Sequence, residues 1–422
     1  MRQAKKWLYC LLVVLLAACS NEIPEQQPAK RSGRTVLAYL ISNNGGLSLD
    51  RELRGNVVDM YTALGNMKES CTLLVFYRPY VNDTPLGNPT LMSFYTDGRG
   101  NVNNQPALTG EENLTFENIC QVAQKKQYTT NSQIATDPTV MEEVFKDMQT
   151  AAPSDSYGVI LGSHAGGWMQ GNSVKTKAFG DDNGYNIDIP DLAEVLKNSF
   201  AKKLDFVLFD ACMMGTAEVC YELKDVTSHC VASVMETPAD GFPYDQILPY
   251  LYADSIDYAA VCHEFILYNK LDGAWGTCAA VDCTQMENLA EAVNAKLTEW
   301  QGGLYSLSMD NVQQYGVGTF QYFSYDVLDF FRELGRKYGV AETDLNTEIA
   351  SVQTALNQAV IAKECIPNPL TSSFKVDDTR FCGIGMYIPG EYNPYVTNKT
   401  SWNSYYKRSI AWYRAAGWDT LN

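Results

Sequence analysis

Histidine is nearly absent from this chain: 422 residues contain only His164, His229 and His263. Any chemistry that needs an imidazole must therefore draw on one of these three. Positive charge is also short, with 32 Lys and Arg against 49 Asp and Glu and a formal net charge of −17. Phosphate binding needs concentrated Lys and Arg, so this balance argues against nucleic acid as a partner. It is compatible with attraction to basic peptides and equally with solubility. The twelve cysteines include no CxxC pair and no metal-ligand spacing. No zinc site is expected, and disulfide pairing is not readable from these positions. Internal repeats and low-complexity tracts are missing as well. What remains is a hydrophobic content of 46%, which excludes wholesale disorder and is enough to bury one large core or two smaller ones.

The start of the chain carries an export signal. Arg2, Lys5 and Lys6 form a basic region, and the apolar run 7–16 is too short to span a bilayer as a mature helix. It ends in Leu16-Ala17-Ala18-Cys19, which matches a bacterial lipobox. Residues 1–18 are thus expected to be removed, Cys19 to carry a lipid, and the polar stretch 19–34 to act as a tether. A lipid anchors a protein to a membrane without crossing it, which places the chain in a bacterial cell envelope, periplasmic or at the surface.

Beyond the tether, strands and helices alternate. Runs 35–42 and 71–77 read as apolar strands on either side of an amphipathic helix at 51–64. Helical patterns at 138–151 and 189–200 each feed an apolar run, 157–162 and 204–210; a helix at 215–223 precedes strands at 229–235 and 274–281. This alternation predicts a mostly parallel sheet covered on both faces, an α/β sandwich. After about residue 300 the pattern turns helical at 325–338, 342–361 and 402–415, with one short strand at 383–388. The expected organisation is a core over 35–300 and a C-terminal α-rich subdomain over 301–422.

Two strand ends stand out. His164 follows one apolar run in Gly162-Ser163-His164-Ala165-Gly166-Gly167, and Cys212 follows another in Asp210-Ala211-Cys212-Met213-Met214-Gly215. Ligands bind at the carboxyl ends of strands in open α/β sheets, so the topology brings imidazole and thiol together. A thiol is only a few per cent thiolate at neutral pH, and a neighbouring imidazole raises the reactive fraction and later protonates a leaving amine. Cys212 is read as a nucleophile and His164 as its acid/base partner. Cys220, Cys230, Cys262 and Cys278 are read as inert core. Asp210 lies two positions before Cys212, on the same face if the strand continues. A carboxylate there would pair with a basic substrate side chain; the alternative is a cap for the following helix.

The block GSHAGGW, followed by DFVLFDACMMGTAEVCYEL, with VMETPADGFPY and the closing SYYKRSIAWYRAAGWD, resembles the clostripain family of cysteine peptidases. The likeness extends over nearly all of the chain after about residue 35. It implies the caspase-like fold of clan CD and cleavage of peptide bonds after Arg or Lys, with acids in the positions of Asp210 and Asp240, and with Thr237, lining the pocket for the basic residue. Ordinary turn aspartate is the alternative for Asp240. The resemblance also implies self-cutting in a loop after the catalytic His. Here the polar, glycine-rich stretch 170–184 is the kind of loop that proteases nick. With a basic preference, Lys177 is the best residue to precede the cut and Lys175 the second, so cleavage is expected between Lys177 and Ala178. The product would be two associated chains of a monomer, one bearing His164 and one bearing Cys212. Some family members depend on calcium. Asp181, Asp182, Asn183, Asp188 and Asp191 offer oxygen ligands, but their spacing is not that of an EF-hand loop, and acids also favour the start of a helix. No cofactor is expected to be required.

The leading expectation is a lipid-anchored cysteine endopeptidase. Its rivals are a non-catalytic surface lipoprotein that binds peptides or host proteins through a peptidase-like cleft, and a cysteine hydrolase or transpeptidase of other specificity.

Overall fold

The computed structural model describes residues 31–43, 47–80, 86–128, 133–169, 178–317, 321–367, 375–394 and 399–421. The signal segment, Cys19, most of the tether, and Lys175 and Lys177 lie outside them.

The first half of the chain supplies β1 (Arg31–Ile41), α1 (Leu47–Asn66), β2 (Ser70–Arg78), β3 (Thr90–Thr96), the two-residue β4 (Asn101–Val102) and β5 (Gln105–Pro106), α2 (Phe116–Val122), β6 (Gln124–Gln127), α3 (Pro138–Ala151) and β7 (Ser156–Gly162). Then follow the hairpin β8 (Phe179–Asp182) and β9 (Tyr185–Ile187), α4 (Ile189–Ser199), β10 (Leu204–Asp210), α5 (Ala217–Glu222), β11 (Thr227–Ala232), α6 (Tyr244–Tyr252), α7 (Tyr258–Leu271), β12 (Thr277–Asp282) and α8 (Met286–Leu304). The last part holds β13 (Gln314–Val317), β14 (Gln321–Asp326), α9 (Val327–Tyr338), α10 (Leu345–Glu348), α11 (Ala350–Ala359), β15 (Val360–Cys365), β16 (Gly385–Tyr387), α12 (Lys399–Ser409) and α13 (Trp412–Ala415).

Eleven strands form one sheet in the order β15-β12-β11-β10-β7-β1-β2-β3-β4-β5, with β6 also pairing β3. Its centre, β11 through β2, is parallel, and antiparallel strands flank it on both sides. This is the expected mostly parallel α/β sandwich, with helices along both faces. Side chains alternate across β1 as strand geometry requires. Leu37, Tyr39 and Ile41 enter one core with α3, α4, α5 and α8, whereas Val36, Ala38 and Leu40 enter the other with α1, α2, α6 and α7.

Two expected helices begin or end as strands. Tyr325 and Asp326 close β14, and the Asp326 carboxylate caps α9 by accepting from the Asp329 N–H at 2.9 Å. Helix α11 stops at Ala359, where the β-branched pair Val360-Ile361 turns the chain into β15 on the edge of the main sheet. Trp300, Phe330, Phe331, Trp412 and Trp418 share a hydrophobic cluster with the strands that carry His164 and Cys212. Packing is therefore continuous across residue 300. Strands β13, β14 and β16 make a separate three-stranded sheet. Among the described residues, no helix is long and apolar enough to cross a membrane.

Candidate active site

β7 and β10 are neighbouring parallel strands, paired from Gly158 opposite Phe206 to Gly162 opposite Asp210. His164 and Cys212 each lie two residues past the last of these pairs, in the loops that follow strands about 4.8 Å apart. The register therefore brings the two expected catalytic residues to one end of the sheet.

The loop that carries His164 is strapped from one side. The Ser163 hydroxyl donates to the Ile41 carbonyl at 3.0 Å and accepts from the Asp181 N–H at 3.1 Å. The Gly180 N–H donates to the His164 carbonyl at 2.9 Å, the Gly166 N–H donates to the Ala178 carbonyl at 3.1 Å, and Ala165 bridges Phe179. His164 itself is exposed. Gly167, at φ +70°, touches the second loop: a Cβ there would stand 2.9 Å from the Met213 carbonyl oxygen.

The loop that carries Cys212 is strapped by the chain after β11. The Met213 N–H donates to Met235 O at 3.0 Å and the Gly215 N–H to Ser233 O at 2.8 Å. The Thr237 hydroxyl donates to the Ala211 carbonyl at 3.0 Å, and its N–H points at the Cys212 sulfur from 3.4 Å. Met213 adopts φ +62°, a left-handed conformation that costs a bulky residue free energy and is held only by surrounding structure.

Burial pushes the Cys212 thiol up to about 12; the Thr237 N–H opposes this, and the charges of Glu236 and Asp210 add to it. The resting thiol is thus protonated and needs a proton acceptor. Cys71, Cys120 and Cys365 are raised to about 12 by burial as well, so a raised value does not single out a nucleophile. Position does. The other histidines have structural partners: His229 meets the Asp205 carbonyl at 3.0 Å and packs on Tyr258, and His263 meets Glu364 at 3.0 Å. All ten described cysteines are free, and Cys220, Cys230, Cys262 and Cys278 are buried.

Asp210 is buried on the face covered by α1 and α6. Its Oδ2 accepts from Asn56 Nδ2 and from the Tyr244 hydroxyl, both at 3.0 Å. Cys212 packs against the opposite core, because the chain leaves the strand after Asp210 and turns through Met213. The turn 238–241 closes over Asp210. Its Gly241 N–H bonds Pro238 O at 2.9 Å, and a Cβ on Gly241, at φ +66°, would stand 2.5 Å from both carboxylate oxygens. The half-buried Asp240 precedes that glycine. Thr237 thus lies against Cys212, while the turn bearing Asp240 lies against Asp210. Asn56 and Tyr244 were not singled out in the sequence, since they come from distant helices and carry no local signal. Gly241 could have been found, as a glycine following Asp in a turn.

Of the acids after the His loop, Asp182 is fully buried. It accepts from Arg78 Nε at 2.9 Å, Asn43 Nδ2 at 2.5 Å and the Ala135 N–H at 2.6 Å, so its oxygens serve protein donors. Asp181 accepts from the Gly184 N–H at 2.8 Å, and Asp188 is the residue that precedes α4. Among the described residues, no group of three or more His, Cys, Asp or Glu is placed to hold a metal ion.

Residues 86–421 match the model of the clostripain family, peptidase family C11. The chain belongs to the clostripain family. It is accordingly a cysteine peptidase, a hydrolase acting on peptides or proteins. Solved structures agree in fold. A secreted C11 cysteine protease from Bacteroides thetaiotaomicron, in complex with an irreversible peptide inhibitor, has a TM-score of 0.69 at 22% identity, covering 92% of this chain and 99% of that one. An inactive zymogen C11 protease from Parabacteroides distasonis has a TM-score of 0.66 at 21% identity, with 92% and 99% covered. No curated protein matches this clostripain-family chain.

Proposed function

We propose that this clostripain-family peptidase is an endopeptidase that cleaves after Lys or Arg, with Cys212 as nucleophile and His164 as acid/base. The observation that supports it is the β7–β10 register, in which the strands leading to His164 and Cys212 are parallel neighbours that end together. Asp210, with Thr237 and Asp240 around it, supplies the negative pocket for the basic side chain. His164 takes the Cys212 proton, and the sulfur attacks the carbonyl carbon of the residue in that pocket. Backbone N–H groups beside Cys212 other than those of Met213 and Gly215, which the 233–235 strap engages, hold the oxyanion. As the C–N bond breaks, His164 returns the proton to the leaving amine; water then hydrolyses the thioester with His164 as base. No step uses a metal, and hydrolysis rates with added calcium or chelator check the expectation raised by residues 181–191.

The same reading includes anchoring through a lipid on Cys19 and maturation by a cut between Lys177 and Ala178. Ala178 is buried, with its carbonyl held by Gly166, which supports a heavy chain that stays docked on the His164 loop after cutting. The same reading keeps a peptidase core over 35–300 and a C-terminal α-rich subdomain over 301–422, which share one hydrophobic cluster.

The test is intact mass and N-terminal sequencing of protein lacking its first 19 residues, wild type beside Cys212→Ala. Wild type is expected to be cut after Lys177 and to hydrolyse Lys and Arg peptides. Cys212→Ala should remain one chain, with hydrolysis reduced at least about 10⁴-fold. An uncut wild type without hydrolysis of either peptide would overturn the assignment.

A further inference from the structure

Only Ala165 and two glycines separate His164 from a large side chain with a fixed seat. Gly166 and Gly167 follow Ala165, and Gly167 sits at φ +70°. Glycine widens the conformations open to a backbone, so this end of the loop needs an anchor beyond the backbone bonds to residues 178–180. Trp168 supplies one, since its indole is buried in the core that Cys212 packs against.

The seat is built by the far end of the chain. The Trp168 ring lies 4.9 Å, centroid to centroid, from Tyr387 of β16 and 4.9 Å from Tyr406 of α12, and the two tyrosine rings stand 4.8 Å from each other. Edge-on and tilted contacts of this kind favour set ring orientations. Both tyrosines are pinned. The Tyr387 N–H and the Tyr406 hydroxyl donate to the same oxygen, Glu218 Oε1, at 2.8 Å and 3.3 Å. The Tyr387 hydroxyl donates to Asn403 Oδ1, which also accepts from the Gly390 N–H at 2.9 Å. Glu218 lies on α5, the helix that follows the Cys212 loop, and the Gly385 N–H of β16 donates to the Gly215 carbonyl of that loop at 3.1 Å. The clamp on Trp168 therefore hangs from the cysteine side and gives the two loops a common frame.

We infer that Trp168, seated between Tyr387 and Tyr406, is a positioning residue that holds the His164 imidazole in place relative to Cys212. The inference rests on the roles proposed above for His164 and Cys212, and it gives the C-terminal part of the chain a share in the chemical step. Misplacing a catalytic group by about 1 Å costs about 10²-fold in rate. Asp210 lies on the face covered by α1 and α6, away from this seat, so losing the seat acts on kcat and leaves KM nearly alone.

The experiment measures kcat and KM on the peptide that wild type cuts fastest, and the rate at which iodoacetamide alkylates Cys212 at pH 7. Wild type, Trp168→Leu, Trp168→Phe, Tyr406→Leu and His164→Ala are compared after incubation with bead-bound wild type, so that all share one chain state. Trp168→Leu keeps apolar bulk in the seat without the ring; its kcat should fall about 10²-fold with KM nearly unchanged. Its alkylation should slow towards that of His164→Ala, because the thiolate fraction of Cys212 depends on the imidazole. Trp168→Phe keeps a ring and should recover most of the loss. Tyr406→Leu should lower kcat in the same way, and adding it to Trp168→Leu should cost little more, since both disable one device. A Trp168→Leu enzyme with wild-type kcat, with a loss confined to KM, or with wild-type alkylation overturns the inference. A His164→Ala enzyme that hydrolyses at the wild-type rate overturns the acid/base assignment itself, a distinct result.

Discussion

The loops that carry His164 and Cys212 leave adjacent strands that end together but are held in different ways. His164's loop hangs on residues 178–181, a strap whose inner end is fixed by the buried pair of Asp182 with Arg78. Cys212's loop hangs on residues 233–237 and runs into α5, where Glu218 is just as deeply buried as Asp182. Asp182 has a cation and two further donors. Glu218 has no cation: its Oε1 accepts from the Tyr387 N–H at 2.8 Å and the Tyr406 hydroxyl at 3.3 Å, its own N–H and the Thr216 hydroxyl also favour the charged form, and Oε2 is left without a hydrogen bond. Equal burial therefore gives two kinds of anchor: behind the histidine an ion pair whose carboxylate meets a cation and two further donors, and behind the cysteine an acid that burial pushes up to about 7. Depth alone does not define an acid's contribution; its donors do.

The largest effect is expected from breaking the first anchor. Asp182→Ala leaves Arg78 buried without its carboxylate, and stability should drop by about 3–5 kcal/mol, read from urea midpoints; the two-chain form, if cut, should separate more easily on dilution. The second anchor answers to pH. Glutamate ionises near 4.5 when unfolded and Glu218 near 7 when folded, so in that window the folded state keeps a proton the unfolded state has lost. Stability thus falls as pH rises from about 4.5 to 7 and is level above that, an effect of about 3 kcal/mol. Glu218→Gln should raise the melting temperature at pH 8 and leave it nearly unchanged at pH 4.5; a gain of equal size at both values would refute the assignment. A smaller effect, about 1–3 kcal/mol, is expected from Gly241→Ala, which puts a methyl against the Asp210 oxygens in a strained conformation. It should show chiefly as a raised KM for basic peptides. Least of all, Cys120→Ala should keep hydrolysis within about twofold, because a thiol as raised as Cys212 but remote from His164 is only a packed atom; a large loss would show that thiol position matters less than argued.

The sequence made the strands of the sheet's centre legible because continuous apolar runs mark buried parallel strands. His164 and Cys212 were legible for the same reason, as polar residues just where such runs stop. Strand β6, Gln-Lys-Lys-Gln and wholly exposed, has no periodicity to read and exists only because β3 offers an edge. β15 was hidden in a helical pattern, since Val360-Ile361-Ala362 continues the apolar spacing of α11 and only pairing with β12 reveals a strand. Asn56 and Tyr244 were beyond reach for another reason. Their meaning depends on two helices meeting over Asp210, a long-range event that no local pattern encodes.

A sheet of eleven strands would ordinarily present two long templates for other chains to pair with. Here one end finishes in the two-residue β5 and in β6, which carries Lys125 and Lys126, and the other in β15, which carries Lys363 and Glu364. Short or charged edges resist edge-to-edge growth, so this wide sheet is protected from self-association. A peptidase whose own surface is poor bait for strand addition can collect extended peptides at its catalytic end without being drawn into fibres along its flanks.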